Sequence, residues 1–274
     1  MNILFWTELF FPHIGGIEVF GAQLIKALSR LGHKIKVVAS HSGIRLPDIS
    51  EHEGIEIHRF HFQRALVRKN LQEIKRISEK IIRFKIEFRP DVVHINTIQP
   101  SLFFFYHTRN YHPAPTLFTL HQPPSESSGR NSLFHNTAFC SDWITAVSKN
   151  LLSKAVYYVP EIECKSSVLY NGLESPPAPP SLPDFKHPTV LCMGRLIRDK
   201  GFDLALASLK DVISYIPRAN LIIAGDGPQR KELEESAERH GIRHAVRFTG
   251  WVSPDEVYEV IDKASLLAAP SRWE

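Results

Sequence analysis

Short apolar runs alternate with helix-period segments along almost the whole chain, and that alternation leaves few folds open. Residues 3–7, 34–39, 55–60, 92–95, 116–120, 143–146 and 167–169 read as strands. Residues 19–31, closing on Gly32, and residues 71–88, ended by Pro90, carry the helical period. Runs this short and this apolar suit parallel strands covered on both faces, so the pattern predicts a doubly wound α/β sheet.

The alternation breaks once. "ESPPAPPSLPDFKHP" (174–188) holds six of the nineteen prolines, and a segment so rich in proline is extended and unable to join a sheet interior. The expected organisation is a first domain over 1–175, a proline-rich linker over 176–188 and a second α/β unit over 189–274. In that unit residues 189–193, 220–224, 245–249 and 266–269 read as strands, and 202–215, 229–240 and 254–263 as helices. The final run, 265–270, reads as a strand buried on both faces, with no helix after it to cover the sheet. The expectation is one complete α/β domain and about half of a second.

Composition excludes several classes. The net charge is only +4, which calls for no nucleic-acid partner. Cys140, Cys164 and Cys192 are scattered without CxxC spacing, as expected of reduced core cysteines in a cytoplasmic protein. "MNILFWTELFF" carries Glu8 inside its apolar run and has no basic leader, so it reads as a first strand and not a signal peptide. No stretch approaches the roughly 18–20 apolar residues of a membrane span. Ten basic residues lie between Arg59 and Arg89 against Glu73, Glu79 and Glu87, giving the 71–88 helix a basic outer face. A solvated face is the plainer reading; attraction to anionic headgroups at the inner membrane surface is the sharper one. The fourteen histidines show no HExxH or paired Cys/His spacing, so no metal site is expected.

Ligands of doubly wound sheets bind at the carboxyl ends of strands, near helix N-termini. In "LCMGRLIRDKGFD" a strand ends at Met193, and Arg195 and Lys200 follow before the next helix. Two permanent cations there suit a diphosphate, although an ordinary loop with solubilising charges has the same composition. In "FFPHIGG" the pair Gly15–Gly16 joins strand to helix and lets backbone N–H groups approach an anion. It matches neither GxGxxG nor GxxxxGK[ST], which disfavours dinucleotide and P-loop sites. His121 follows a strand in "FTLHQPP", Asp226 sits in the turn of "IIAGDGP", and Glu274 lies just past the final apolar run.

As an ordered set, "FPHIGGIE", "TLHQ", "VSKN", "YNG", "GRLIRDKG", "AGDGP", "FTGWV" and "APSRWE" resemble the retaining, nucleotide-sugar-dependent glycosyltransferases of family 4, which have the GT-B fold. The resemblance covers the whole chain. It implies two Rossmann-like domains, the second holding the donor, and transfer of a hexosyl unit from a UDP- or GDP-sugar to a glycan or lipid-linked acceptor. It assigns Arg195 and Lys200 to the diphosphate and Gly15 and Gly16 to a backbone contact from the first domain. His121 falls beside the transferred sugar, Val252 in the loop contacting the base, and Glu274 at the first glutamate of an E-x7-E pair. It implies no metal, consistent with the lack of a DxD motif. Because the second glutamate of that pair is missing, the resemblance also implies a chain truncated at its C-terminus, with weak or no activity of its own. A sugar-nucleotide 2-epimerase and a non-catalytic partner domain are the alternatives.

Overall fold

The computed structural model describes the whole chain except Ile14, residues 42–44, Gln99, residues 125–128, 173–180, 254–255 and 273–274. The chain divides into two compact units, Met1–Leu173 and Glu174–Glu274.

The first unit is built on an eight-stranded sheet: β1 (Asn2–Trp6), β2 (Lys34–Ser40), β3 (Ile49–His52), β4 (Ile55–Phe60), β5 (Val92–Ile95), β6 (Thr116–Leu120), β7 (Trp143–Ala146) and β8 (Ser166–Val168), in the spatial order β3-β4-β2-β1-β5-β6-β7-β8. All pairings are parallel except β3 with β4. The order reverses at β1, which pairs with both β2 and β5. That is the switch point beside which such sheets bind ligands. Leu4 and Trp6 join one apolar cluster, and Ile3 and Phe5 another, so β1 is buried on alternate faces.

The helices follow from local chemistry. α1 (Gly16–Arg30) ends where Gly32 takes φ 84°, a left-handed turn that a glycine adopts without penalty. Short α2 (Phe62–Val67) precedes α3 (Leu71–Phe88), whose N-cap Asn70 accepts from Glu73 N at 3.1 Å. Ile77, Ile81 and Phe84 bury the inner stripe of α3. α4 (Leu102–Thr108), α5 (Leu133–Cys140) and α6 (Lys149–Tyr158) complete the layers, with Ser132 and Ser148 capping the last two.

The second unit is a four-stranded parallel sheet of β9 (Thr189–Met193), β10 (Asn220–Ala224), β11 (Val246–Gly250) and β12 (Leu266–Leu267), ordered β11-β10-β9-β12. α7 (Phe202–Tyr215), α8 (Arg230–Arg239) and α9 (Val257–Asp262) accompany it. Its main core joins Leu206 and Leu209 of α7 with Leu221 and Ile223 of β10 and Leu233 and Ala237 of α8.

Three expectations need correction. The 265–270 run is not buried on both faces: β12 is a two-residue edge strand whose leucines are 59% and 60% exposed. An apolar run alone does not distinguish a central strand from an edge. The basic outer face of the 71–88 helix loses Lys85, which is 2% exposed and bonded inward to a backbone carbonyl, and the basic run loses Arg59, which is 4% exposed on β4 and likewise bonded inward. Cys164 is exposed, so only Cys192 is a fully buried cysteine. Part of the proline-rich segment is fastened down: Ser181 donates from N and Oγ to Asp262 (2.6 and 2.8 Å), and Ser265 Oγ donates to Asp184 O (2.6 Å). Among the described residues no helix is long and apolar enough to cross a membrane.

Candidate functional site

In the second unit the loops at the carboxyl ends of all four strands are knitted together by backbone hydrogen bonds. Gly194 N donates to Ala224 O (2.9 Å), Leu196 N to Asp226 O (2.9 Å), Gln229 N to Leu196 O (3.1 Å) and Gly225 N to Gly250 O (2.7 Å). Glycine is required where these loops meet, and a Cβ on Gly227 would lie 2.6 Å from Leu196 O. A Cβ on Gly225 would lie 1.9 Å from Gly194 O, and one on Gly201, where φ is 67°, would lie 2.0 Å from Pro270 O. The motif glycines therefore let four loops approach within backbone contact.

Arg195 and Lys200 stand on this platform. Arg195 follows Gly194 just past the end of β9, and Lys200 ends a short 3₁₀ turn (Arg198–Lys200) before Gly201 opens α7. Both are exposed, and among the described residues neither is paired with an acid. Arg272 is committed differently: it grips Asp203 with both terminal nitrogens (2.8 and 2.6 Å) and donates to Arg198 O (2.7 Å). The hydrogen bonds from Arg272 hold the Asp203 carboxyl below its ordinary pKa. Val252 is half-buried against the Leu191–Ile222–Ala224 cluster, so the loop it belongs to is anchored at the same strand ends. Glu274 lies outside the described residues.

In the first unit Gly15 is the N-cap of α1, with no side-chain cap bond, and Gly16 is its first residue, with open space where a side chain would be. One turn on, Phe20 meets the His121 ring at 5.2 Å. His121 follows β6, and its Nε2 lies 2.6 Å from Asn96 Oδ1 at the end of β5. With a carbonyl oxygen as partner, Nε2 carries the proton. Burial lowers the His121 pKa to about 4, so the imidazole is neutral around pH 7. Gly16, Phe20 and His121 thus share the carboxyl edge of the sheet beside the switch point.

Several functional candidates escaped sequence reasoning. Asn96 is 1% exposed, and its Nδ2 has no hydrogen-bond partner among the described residues. Burial raises the Glu8 carboxyl, against the pull of Ser101 and Ser40, and Glu8 Oε2 is likewise unpartnered among the described residues. Behind them His94 Nε2 meets Thr119 Oγ1 at 2.8 Å, and Thr119 meets Thr145 at 2.8 Å, an interior chain. Arg59, on β4, donates to Phe11 O and Ser50 Oγ, both at 2.6 Å, and so holds the loop leading to Gly15. The one described group with metal-ligand chemistry is His41, Asp48 and His61, whose donor atoms lie within 4.8 Å of one another. For Asn96, His41 and His61 the position just after a strand was the only hint in the sequence, and the others carried none.

Two parallel-sheet units, each presenting motif loops at its strand ends, make up the GT-B architecture of glycosyltransferases. The chain belongs to Glycosyltransferase Family 4, whose model matches residues 14–175, and residues 179–274 match the glycosyl transferases group 1 model. It is 25% identical to the phosphatidylinositol N-acetylglucosaminyltransferase gpi3 subunit of Schizosaccharomyces pombe, over 98% of this chain and 60% of that protein. It therefore spans less than two thirds of that relative's length. Among solved structures it superposes on sucrose-phosphate synthase from Thermosynechococcus elongatus with a TM-score of 0.74 at 16% identity, covering 100% of this chain and 76% of the other. Anabaena HepE in complex with UDP gives 0.71 at 17% identity, covering 99% and 74%.

Proposed function

We propose that the full protein transfers a hexosyl unit, with retention of configuration, from a nucleotide-diphosphate sugar to a glycan or lipid-linked acceptor. The observation that carries this reading is the pair of exposed cations, Arg195 and Lys200, without acidic partners among the described residues, on a platform of loops tied by backbone hydrogen bonds. As the bond to the sugar breaks, negative charge gathers on the departing diphosphate. Donors held in advance at that position stabilise the transition state without reorganisation, typically the largest catalytic term. Arg195 supplies a bidentate fork and Lys200 a point charge, so this reading needs no metal. The loop of Val252 faces the base. His121, neutral and with its Nε2 proton given to Asn96, accepts a hydrogen bond at Nδ1 beside the sugar without adding charge. Gly15 and Gly16, at the start of α1, are assigned to a backbone contact with the donor by the motif alone. Glu274 is assigned to the sugar hydroxyls by the motif alone.

The UDP of the HepE structure makes UDP the first nucleotide to try, with GDP second. Calorimetric titration of each into the chain and into the Arg195→Ala/Lys200→Ala variant tests the reading. One nucleotide is expected to bind, and the double variant to bind it about a hundredfold more weakly or worse, since each charge-assisted bond is worth roughly 1.5–3 kcal/mol. Equal binding by both proteins would remove the cations from the donor site.

A further inference from the structure

At the same carboxyl edge, on the far side of β1 from His121, the first unit holds a second site. His41 follows β2 and His61 follows β4, and His41 N donates to Phe60 O at 2.9 Å, which brings the two positions side by side. Their rings stack at 4.0 Å and 21°. They open onto a cavity of about 530 Å³ lined also by Arg45, Gln63, Arg64 and Arg68. Two carboxylates answer this charge. Asp48 lies 3.1 Å from His41 Nε2 and 3.6 Å from Lys80, and Glu73 pairs with Arg64. Arg45 and Arg68 are exposed and have no acidic partner among the described residues. The groups facing the cavity therefore carry a positive excess before either imidazole takes up a proton.

We propose that this cavity is a phosphate-binding pocket in which Arg45 and Arg68 grip the oxygens and His41 and His61 complete the cradle. Guanidinium forks match the geometry of phosphate oxygens, and a wet cavity of this size admits a phosphate with part of the group it is attached to. Its place at the strand ends of the first unit makes the natural ligand a phosphorylated acceptor, a step that rests on the transferase reading. A divalent metal on His41, Asp48 and His61 fits less well. Tetrahedral ligation needs both imidazole nitrogens aimed at one point about 2.0–2.1 Å away, whereas the rings lie face to face and four cations surround them.

The stacked imidazoles add a signature. Burial, helped by His41 and Arg64, holds the His61 pKa below its ordinary value, while Asp48 and Glu73 pull the other way. For Asp48 burial alone would raise the carboxyl, but the His41 hydrogen bond and the Lys80 charge bring it below the ordinary value. A dianion settling against the imidazoles favours their protonated form, so binding strengthens as pH falls and takes up protons from solution.

Sodium sulfate is a suitable probe, because its charge does not change with pH across the histidine range. It is titrated calorimetrically into the full chain at about pH 6 and about pH 8, in buffers of different ionisation heat. The expected result is binding about tenfold tighter at the lower pH, with proton uptake, and about tenfold weaker in each of Arg45→Ala and Arg68→Ala. Both arginines are exposed, so these variants fold, which thermal melting confirms. Flotation with phosphatidylcholine vesicles with and without phosphatidic acid identifies the source of the phosphate. Recovery with the anionic vesicles that both variants lose points to a lipid headgroup, and sulfate binding without recovery points to a soluble phosphorylated ligand; either upholds the pocket. No saturable sulfate binding overturns it, as does binding unchanged in the arginine variants, or zinc binding lost in His61→Asn while sulfate does not bind. UDP and GDP titrated into the same samples keep the questions apart. Sulfate binding without nucleotide binding leaves the pocket standing and the donor-site assignment failed.

Discussion

Lys85 shows how much a single residue of this fold costs and returns. Helical spacing placed it among the basic groups of an outer face, yet it is 2% exposed, and its Nζ donates to Thr108 O (3.0 Å) and Arg109 O (3.4 Å). Those carbonyls belong to the C-terminal end of α4, where a helix leaves acceptors unpaired, so the ammonium serves as their cap. No acid compensates the charge among the described residues, and burial lowers the Lys85 pKa from 10.5 to about 8. The folded protein therefore releases this proton before the unfolded chain does. Between about pH 8 and 10.5 the unfolded state binds more protons, so stability rises with pH through that window, by on the order of 3 kcal/mol from this group. Below pH 8 both states are protonated and the full desolvation cost is present. Lys85→Met removes that slope: denaturant titrations at about pH 7.5 and 10 are expected to show the difference for the wild type and a much flatter response for the variant. Equal slopes in the two proteins would mean that Lys85 is not the titrating group.

Among the elements, those with a strong period were legible and those with a weak one were not. Leu71–Phe88, Val92–Ile95 and Thr116–Leu120 were read at their observed bounds because an amphipathic stripe or an unbroken apolar run has one dominant solution. β3 was missed because "ISEH" is polar and short, as an antiparallel edge strand is allowed to be, and its pairing with β4 is a tertiary fact. The site divides the same way. The glycines around Arg195 and Lys200 were visible as motif because the backbone contacts demand them, and the two cations were read from their place between those glycines. Asn96 reaches His121 across 25 positions and His41 reaches His61 across 20, so no local pattern announces either. Arg59 belongs with them, since it ties β4 to the β3 hairpin through Ser50 and to the loop before α1 through Phe11. In Arg59→Met the relief of burying a charge offsets the two lost hydrogen bonds. Global stability is then expected to change by less than about 2 kcal/mol. The loop is not compensated, so hydrogen exchange in residues 8–20 should rise severalfold while β1 and β5 stay protected. Unchanged exchange in that segment would show that the loop is held by other contacts.

At the largest scale the decisive observation is that, among the described residues, no apolar cluster mixes the two units. Leu4, Phe118 and Ile144 belong to one core of the first unit and Phe5 and Val37 to the other, whereas Leu206, Ile223 and Leu233 make the main core of the second. A sheet of eight strands with helices packed on it buries enough apolar surface to fold by itself. Residues 1–173 expressed alone are therefore expected to unfold cooperatively with the far-ultraviolet spectrum of an α/β protein. The two ligand proposals separate in that fragment. His41, Arg45, His61 and Arg68 all lie within it, so it should bind sulfate as the full chain does. Arg195 and Lys200 do not, so it should bind neither UDP nor GDP. A ligand at a hundred times its dissociation constant stabilises its site by about 2.7 kcal/mol. Sulfate should accordingly raise the melting temperature of the fragment, and nucleotide should leave it where it was. Nucleotide protection of residues 1–173 would move the donor site into the first unit and overturn the roles given to Arg195 and Lys200. A well-folded fragment indifferent to sulfate, beside a full chain that binds it, would take the pocket away from His41 and His61.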